Sequence, residues 1–450
     1  MSRFFLATAF CVALLVLCTA HPRVTSAQVV PDQDTLQTAY SAEAAVDLHD
    51  VLAQVAEANP MLRASRLEAE ALGTRRAQVA AWPDPMVGVT YQPLPVLTAR
   101  GAQRTQWRVE QSIPYPGKLR LQGTIADLSA DVAGHEADVL AADLALEAKE
   151  AYYELYRVQQ TEALIRDFQG ELRSFEEATA VRYEVGEGTQ QAILKAQLEK
   201  NQLAQRLLDL RERRRRAAER LARLTNRPGS VRSLQMAVLA RPNVPNLEAA
   251  RLIMIATEER PEVAALDVAA ERATRQVELA QKQFWPDIGL SLTYFDIAET
   301  DVPPSATGRD AVGVGVSVRV PLQRGRLHAQ LEEARLRQAQ VEVRQEALQT
   351  ELQTQIEDLL YALEQEAQTL DLYNETLLPQ AATTVEATLS AYTTGRTDFL
   401  NLLDAERTLF ALRTGYEDAF FRYLETSARL ERALGITALD DLDVRLTQND

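Results

Sequence analysis

The sequence predicts a mainly helical protein whose few strands belong to a β-barrel shared between chains, with the whole built as a tandem internal repeat. Three observations predict this. Matching features follow one another in the same order in both halves, four stretches alternate apolar with small or polar residues, and two helical stretches are unusually long. The 450 residues exceed one compact core of ordinary size, and 46% hydrophobic content is normal for a folded chain. A net charge of −16 argues against a general nucleic-acid binder. Four His and two Cys leave little material for a metal or thiol enzyme.

The N-terminus reads as a targeting segment. Met1-Ser2-Arg3 is a short basic start, Phe4 to Leu17 is almost wholly apolar, and Thr25-Ser26-Ala27 places small residues where a peptidase cuts. Residues 1–27 are therefore expected to be a secretory signal peptide. The alternatives are a membrane anchor, for which the apolar run falls short of the roughly 20 residues a spanning helix needs, and a lipoprotein attached through Cys18. Cleavage after Ala27 would remove Cys11 and Cys18, leaving the mature chain without a thiol. No later stretch is apolar enough to span a membrane as a helix, so membrane residence would require a β-barrel or surface attachment. Residues 28–44 are expected to be a mobile lead-in.

The first repeat is placed at residues 45–229. A helical stretch, Arg63 to Ala81, runs into Trp82-Pro83-Asp84. Strands are expected near 86–94 and 105–114, where Val87, Val89 and Tyr91, then Trp107, Val109 and Ile113, alternate with polar residues, with one break at Gln111. Gly117 opens a helical hairpin over 118–226. Its first arm runs from Lys118 to Tyr183 without a proline, Tyr183-Glu184-Val185-Gly186 makes the turn, and the second arm returns from Gln190 to Leu224. Asn226-Arg227-Pro228-Gly229 ends the repeat, and 230–246 is an irregular crossing segment.

The second repeat, 247–436, restates this series. A helix from Glu262 to Phe284 precedes Trp285-Pro286-Asp287. Strands are expected near 287–296 and 310–320, with Ile288, Leu290, Leu292 and Tyr294, then Val312 through Val320 at every second position, against Gly, Ser and Thr. Gly325 opens the hairpin over 326–435. Its long arm, Leu327 to Tyr392, is broken only by Pro379, Tyr392-Thr393-Thr394-Gly395 turns, and a helix returns from Asp398 to Leu434. An acidic tail occupies 437–450. Each strand is about 10 residues, the length that crosses a bilayer at a tilt. The alternative is one face of a soluble sandwich; as a transmembrane barrel, four strands cannot close alone, since the smallest have about eight, so several chains would have to share it. Each long arm would span roughly 100 Å as a helix, with Ala and apolar residues spaced three and four apart as in a coiled coil.

Catalytic constellations are missing from this pattern. His49, His135 and His328 are scattered, and the sequence has no phosphate-binding loop, dinucleotide fingerprint or nucleophile elbow. The run Arg211-Glu212-Arg213-Arg214-Arg215-Arg216 reads as a solvated helix face paired with glutamates. The reading is therefore not an enzyme, with no cofactor and no metal site.

The stretch from Ala391 through Tyr392, Gly395, Asp398 and Leu403 to Ala405, with the order of features over about residues 45–436, resembles the TolC-like outer membrane efflux proteins. In that family a Tyr-x-x-Gly turn precedes an Asp-Val-Leu-Asp-Ala type helix start at the periplasmic tip. The resemblance implies a homotrimer whose chains each give four strands to a twelve-stranded outer-membrane barrel, continued by a periplasmic α-helical tunnel. It implies a periplasmic gate at Tyr392, Arg396, Thr397, Asn401 and Asp404, with Asn401 in place of one of two acidic rings. An Asp that ties the inner helices to the first hairpin appears here as Ala192. The hairpin tips Val185, Gly186, Thr394 and Gly395 would meet a periplasmic adaptor protein. The partners implied are that adaptor, an inner-membrane pump of the resistance-nodulation-division type, and outer membrane lipid. The corner Ile113-Pro114-Tyr115-Pro116-Gly117-Lys118-Leu119-Arg120 resembles the heavy-metal cation efflux branch. The function implied is a passive exit channel in the cell outer membrane. The alternatives are the adaptor itself, which usually carries one hairpin rather than two, and a coiled-coil scaffold of the envelope.

Overall fold

The described residues of the computed structural model are 45–185, 189–228, 235–242, 248–299 and 308–439. The signal peptide, the lead-in, Gly186, half of the crossing segment and nearly all of the acidic tail lie outside them. Asp47 caps helix α1 (Leu48–Ala58), its carboxylate accepting from the His49 N–H at 2.8 Å. Asn59 caps α2 (Pro60–Gly73), with Pro60 opening the helix where a missing N–H costs nothing. The Asn59 amide also donates to the Leu224 carbonyl at 3.0 Å, so one buried side chain satisfies both a helix start and a distant helix end. A short α3 (Arg75–Val79) leads to the strands.

Strands β1 (Met86–Thr98) and β2 (Gly101–Ile113) form a tight hairpin. Helix α4 (Lys118–Glu184) and α5 (Gln190–Leu224) make the first long hairpin. Then come α6 (Ala249–Glu259), α7 (Pro261–Lys282), β3 (Asp287–Ala298), β4 (Ala311–Arg319), α8 (Arg324–Leu372), α9 (Leu378–Thr393) and α10 (Phe399–Leu434). The strands extend further toward the β1–β2 turn than their alternation suggests. Thr98 pairs with Gly101, and the register slips between Tyr91 and Val96, around Pro93 and Pro95. Those prolines lack the N–H a ladder needs and are accommodated because β1 is an edge strand.

The four strands make one antiparallel sheet in the order β1-β2-β3-β4, so β2 and β3 join the two halves. The register aligns apolar residues into rows across it. Val89, Trp107, Tyr294 and Val312 form one row, and Val87, Val109, Leu292 and Val314 the next. Side chains on this face are exposed, Val314 at 81%. The opposite face carries Gly88, Arg108, Thr293 and Gly313, then Glu110, Ser291 and Gly315. It is crowded: a Cβ on Gly289 would fall 2.3 Å from Ser317 Oγ, and one on Gly315 would fall 2.6 Å from Ser291 Oγ. At Gly289 and Gly315 the small residue is thus a packing requirement, whereas Gly88 has nothing within 4 Å of the place a Cβ would take. Gln111, the break in the pattern, sends its amide to the Pro83 carbonyl at 2.7 Å and so pins β2 to the approach into β1.

Helix α4 has 67 residues and is about 100 Å long. It packs against α1, α2, α3, α5, α7 and α10. Buried ion pairs hold this region: Lys149 Nζ lies 2.5 Å from Glu431 and 2.7 Å from the Thr437 carbonyl. The arginine run on α5 is largely neutralised along its own helix. Arg215 bridges Glu212 and Glu219, Arg216 meets Glu212, and Arg214 reaches Glu162 on α4 at 3.3 Å.

The second long arm is not one regular helix. A π-helical turn over Tyr373–Leu377 separates α8 from α9. Pro379 sits just beyond it, with no N–H to give and a ring that clashes with the preceding turn; one wider turn absorbs both. The Tyr373 ring lies over Gly415 of α10, where a Cβ would come 2.5 Å from its hydroxyl. Helical periodicity does not separate i→i+4 from i→i+5 bonding, so the sequence pattern reads straight through this turn.

Candidate gate at the helical tip

At the end away from the sheet, α4, α5, α9 and α10 close around a shared apolar core. Phe168, Leu172, Ala196, Leu203, Phe399 and Leu402 are all buried there, and the Phe168 and Phe410 rings stack at 4.8 Å. The turn between α9 and α10 is a Schellman motif. The Arg396 N–H donates to the Ala391 carbonyl at 2.8 Å and the Gly395 N–H to the Tyr392 carbonyl at 3.1 Å. Gly395 has φ of 70°, which the motif needs and which glycine adopts without steric cost. Asp398 then caps α10, accepting from the Asn401 N–H at 3.0 Å. Thr189 caps α5 in the same manner, accepting from the Ala192 N–H.

The five residues expected at the gate divide into two environments. Thr397, Asn401 and Asp404 lie along one side of the start of α10. With Ala381, Thr384, Thr388 and Ala391 of α9 they line an open groove of about 410 Å³. The Asn401 amide donates to the Thr397 hydroxyl at 2.9 Å, so Asn401 serves the local helix start. Asp404 is exposed in the groove. Tyr392 instead points into the core at 7% exposure, edge-on to Phe399 at 6.1 Å. Arg396 stays at the turn, its Nε donating to the Thr394 hydroxyl at 3.1 Å.

The tie between the two hairpins comes from a residue that sequence reasoning does not single out. The Arg182 guanidinium, near the end of α4, sits 4.3 Å over the Tyr392 ring and both its terminal nitrogens point at the Tyr392 carbonyl at 3.4 Å. Ala192, where the resemblance implies an acidic tie, is packed in the core at 4% exposure. A second link runs from Arg407 on α10 to Glu199 on α5. Between them Glu406 of α10 is buried. Its carboxyl is pushed up to about 7, first by desolvation and then by the neighbouring Glu171, with Arg413 opposing.

Of the four tip residues, Val185, Thr394 and Gly395 are exposed and Gly186 lies outside the described residues. Near Val185, Val181, Tyr183, Leu194 and Leu198 are also exposed, an apolar rim to the first hairpin's end. Among the described residues no three of His, Cys, Asp and Glu come together as a metal site, and no helix is long and apolar enough to cross a membrane.

A sheet with an apolar outer face, carried on long paired helices that end in a capped turn, has recognisable relatives. The family model described as outer membrane efflux protein matches residues 252–436. Residues 252–436 are thus similar to the outer membrane efflux proteins. A curated relative of the chain is the cobalt-zinc-cadmium resistance protein CzcC of Cupriavidus metallidurans, 26% identical over 195 residues. That match takes in 43% of this chain, and the chain spans 44% of the relative's length. Solved structures share the fold over most of the chain, including the first half that the efflux-protein model leaves unmatched. The outer membrane protein VceC of Vibrio cholerae aligns with a TM-score of 0.70 at 20% identity, covering 86% of this chain and 96% of that one. CusC, described in connection with transmembrane channel formation, aligns with a TM-score of 0.73 at 17% identity, covering 89% and 96%.

Proposed function

We propose that this chain is the outer-membrane exit channel of a tripartite efflux system, passively conducting what an inner-membrane pump exports through a periplasmic adaptor. The observation that carries the reading is the sheet. Its apolar rows face outward, its small and polar residues face inward, and both its edges, β1 and β4, lack a partner strand among the described residues. Such a sheet is unstable in water, and its open edges are equally costly in lipid. Closing with other copies removes both problems, and three chains of a duplicated unit give a twelve-stranded barrel. The outer rows then lie against outer membrane lipid, while Arg108, Glu110 and the glycine and serine positions line the lumen. Signal-peptide cleavage delivers the chain to that membrane.

The hairpins continue the lumen through the periplasm, and the groove with Asp404 narrows it at the tip. Three such carboxylates around an axis favour cations and repel one another. The chain itself breaks no bond and needs no cofactor. The rim of Val185, Gly186, Thr394 and Gly395 is the surface for the adaptor, and the pump is of the resistance-nodulation-division type. The cargo class supported by the cobalt-zinc-cadmium relative is divalent metal cations.

Planar-bilayer conductance of detergent-extracted protein, with its oligomeric mass, tests this reading. A trimer with small, cation-selective conductance is the expected result, and Asp404→Ala should lower the selectivity. A water-soluble monomer without conductance would overturn the channel and return the adaptor or scaffold reading.

A further inference from the structure

The corner where β2 becomes α4 sits in a socket on the other half of the same chain. The Tyr115 ring stacks on Trp285 at 5.2 Å. The Tyr115 N–H donates to Asp287 Oδ1 at 2.8 Å. Lys118 Nζ reaches the same oxygen at 2.8 Å and the Trp285 carbonyl at 3.0 Å. Trp285-Pro286-Asp287, at the entry to β3, thus binds the exit of the strand beside it by an aromatic face, a carboxylate and a carbonyl.

The chain carries a second copy of that motif, Trp82-Pro83-Asp84, at the entry to β1. Trp82 is 61% exposed, and among the described residues no hydrogen bond or ring contact reaches Trp82 or Asp84. The matching exit corner is also unoccupied: Val320-Pro321-Leu322 follows β4, with Leu322 at 82% exposure and Arg324 and Arg326 just beyond. Strand register makes the two corners equivalent. Val89 and Leu292 stand equally far past their tryptophans, and their partners Trp107 and Val314 stand equally far before Pro114 and Pro321. Leu322 therefore holds the place of Tyr115.

We propose that Trp82-Pro83-Asp84 is the socket for the Leu322 corner of a second copy of this chain, with Leu322 against the Trp82 ring and its N–H on Asp84. The inference rests on the shared-barrel reading and adds its residues. It also makes the two joints unequal. Arg324 opens α8 as Lys118 opens α4 and holds its place, so the joint between copies lacks the ring stack and the buried ammonium, and has only the nearby guanidinium groups to answer Asp84. The seam between copies is the looser one.

The mature chain has no cysteine once residues 1–27 are removed, so an introduced pair reports alone. Trp82→Cys with Leu322→Cys, both at exposed positions, should shift the monomer band to covalent dimer and trimer on oxidation, reversibly with reductant. Leu94→Cys with Leu322→Cys, which uses the far part of β1, should not. Leu322→Tyr with Arg324→Lys should raise the temperature at which the oligomer dissociates in detergent. An oligomer that forms neither covalent species nor a tighter complex overturns the socket and leaves the shared barrel standing. A monomer by mass overturns the barrel reading, and the socket with it.

Discussion

The two long hairpins differ in how they are held. Helix α4 runs 67 residues without a break and is packed by six other helices. The matching arm of the second half is interrupted by a π turn, and α8 packs chiefly against α6, α7 and α10. Many α4 side chains are buried, whereas Leu336, Val343 and Tyr361 on α8 are more than 60% exposed. One hairpin is built as a fixed support and the other as an arm with a wider turn about three-quarters of the way along it. Regularity follows the number of neighbours, because a helix clasped on several sides has no room for a wider turn.

This contrast can be broken most severely at the tip core. Leu402→Ala, at a fully buried position where the hairpins meet, should cost about 2–5 kcal/mol, while Leu336→Ala on the open face of α8 should change almost nothing; thermal unfolding followed by circular dichroism separates them. Next, Gly170→Pro inside α4 should cost about 3 kcal/mol, although Pro379 is carried by the other arm at no such loss. Equal stability of Gly170→Pro and the parent protein would remove the distinction.

A third test uses pH. The Glu406 carboxyl, raised to about 7 from 4.5, binds its proton more tightly in the folded tip than in the unfolded chain. Its contribution is fully present below pH 4.5 and is lost as pH rises through about 7. Glu406→Gln should therefore match the parent near pH 4.5, unfold at a higher temperature at pH 8, and flatten the profile between. The smallest effect on stability belongs to Arg182→Ala, about 0.5–1 kcal/mol for a partly exposed cation–π contact. On the proposed channel its clearest readout is single-channel conductance, which should rise if this contact holds the second hairpin's tip inward, and Arg182→Lys should restore part of the parent value.

The elements most legible in the sequence are those set by local pattern. Alternation over Ile288 to Tyr294 marks both the strand and its outward face, because the side-chain period of a strand is two. Tyr392-Thr393-Thr394-Gly395 followed by Asp398 marks a helix stop and a helix start, because a left-handed residue and a capping carboxylate have few substitutes. The Arg182–Tyr392 contact is different, since the partners are 210 residues apart and neither side chain is unusual in its own helix. Nor does an exposed-looking pattern reveal that Tyr392 turns into the core while Asn401 and Asp404 stay in the groove. That division depends on where α10 meets α4 and α5, which no single helix's periodicity specifies.

On the proposed shared barrel, the β1 and β4 edges, which lack a partner strand among the described residues, also govern how the molecule matures. A strand set that satisfies its hydrogen bonds only by meeting other copies cannot reach its final state by a unimolecular route. Its yield should climb steeply with chain concentration, and dilute chains should wait with folded helices and unformed strands, exposed to proteases until enough neighbours arrive.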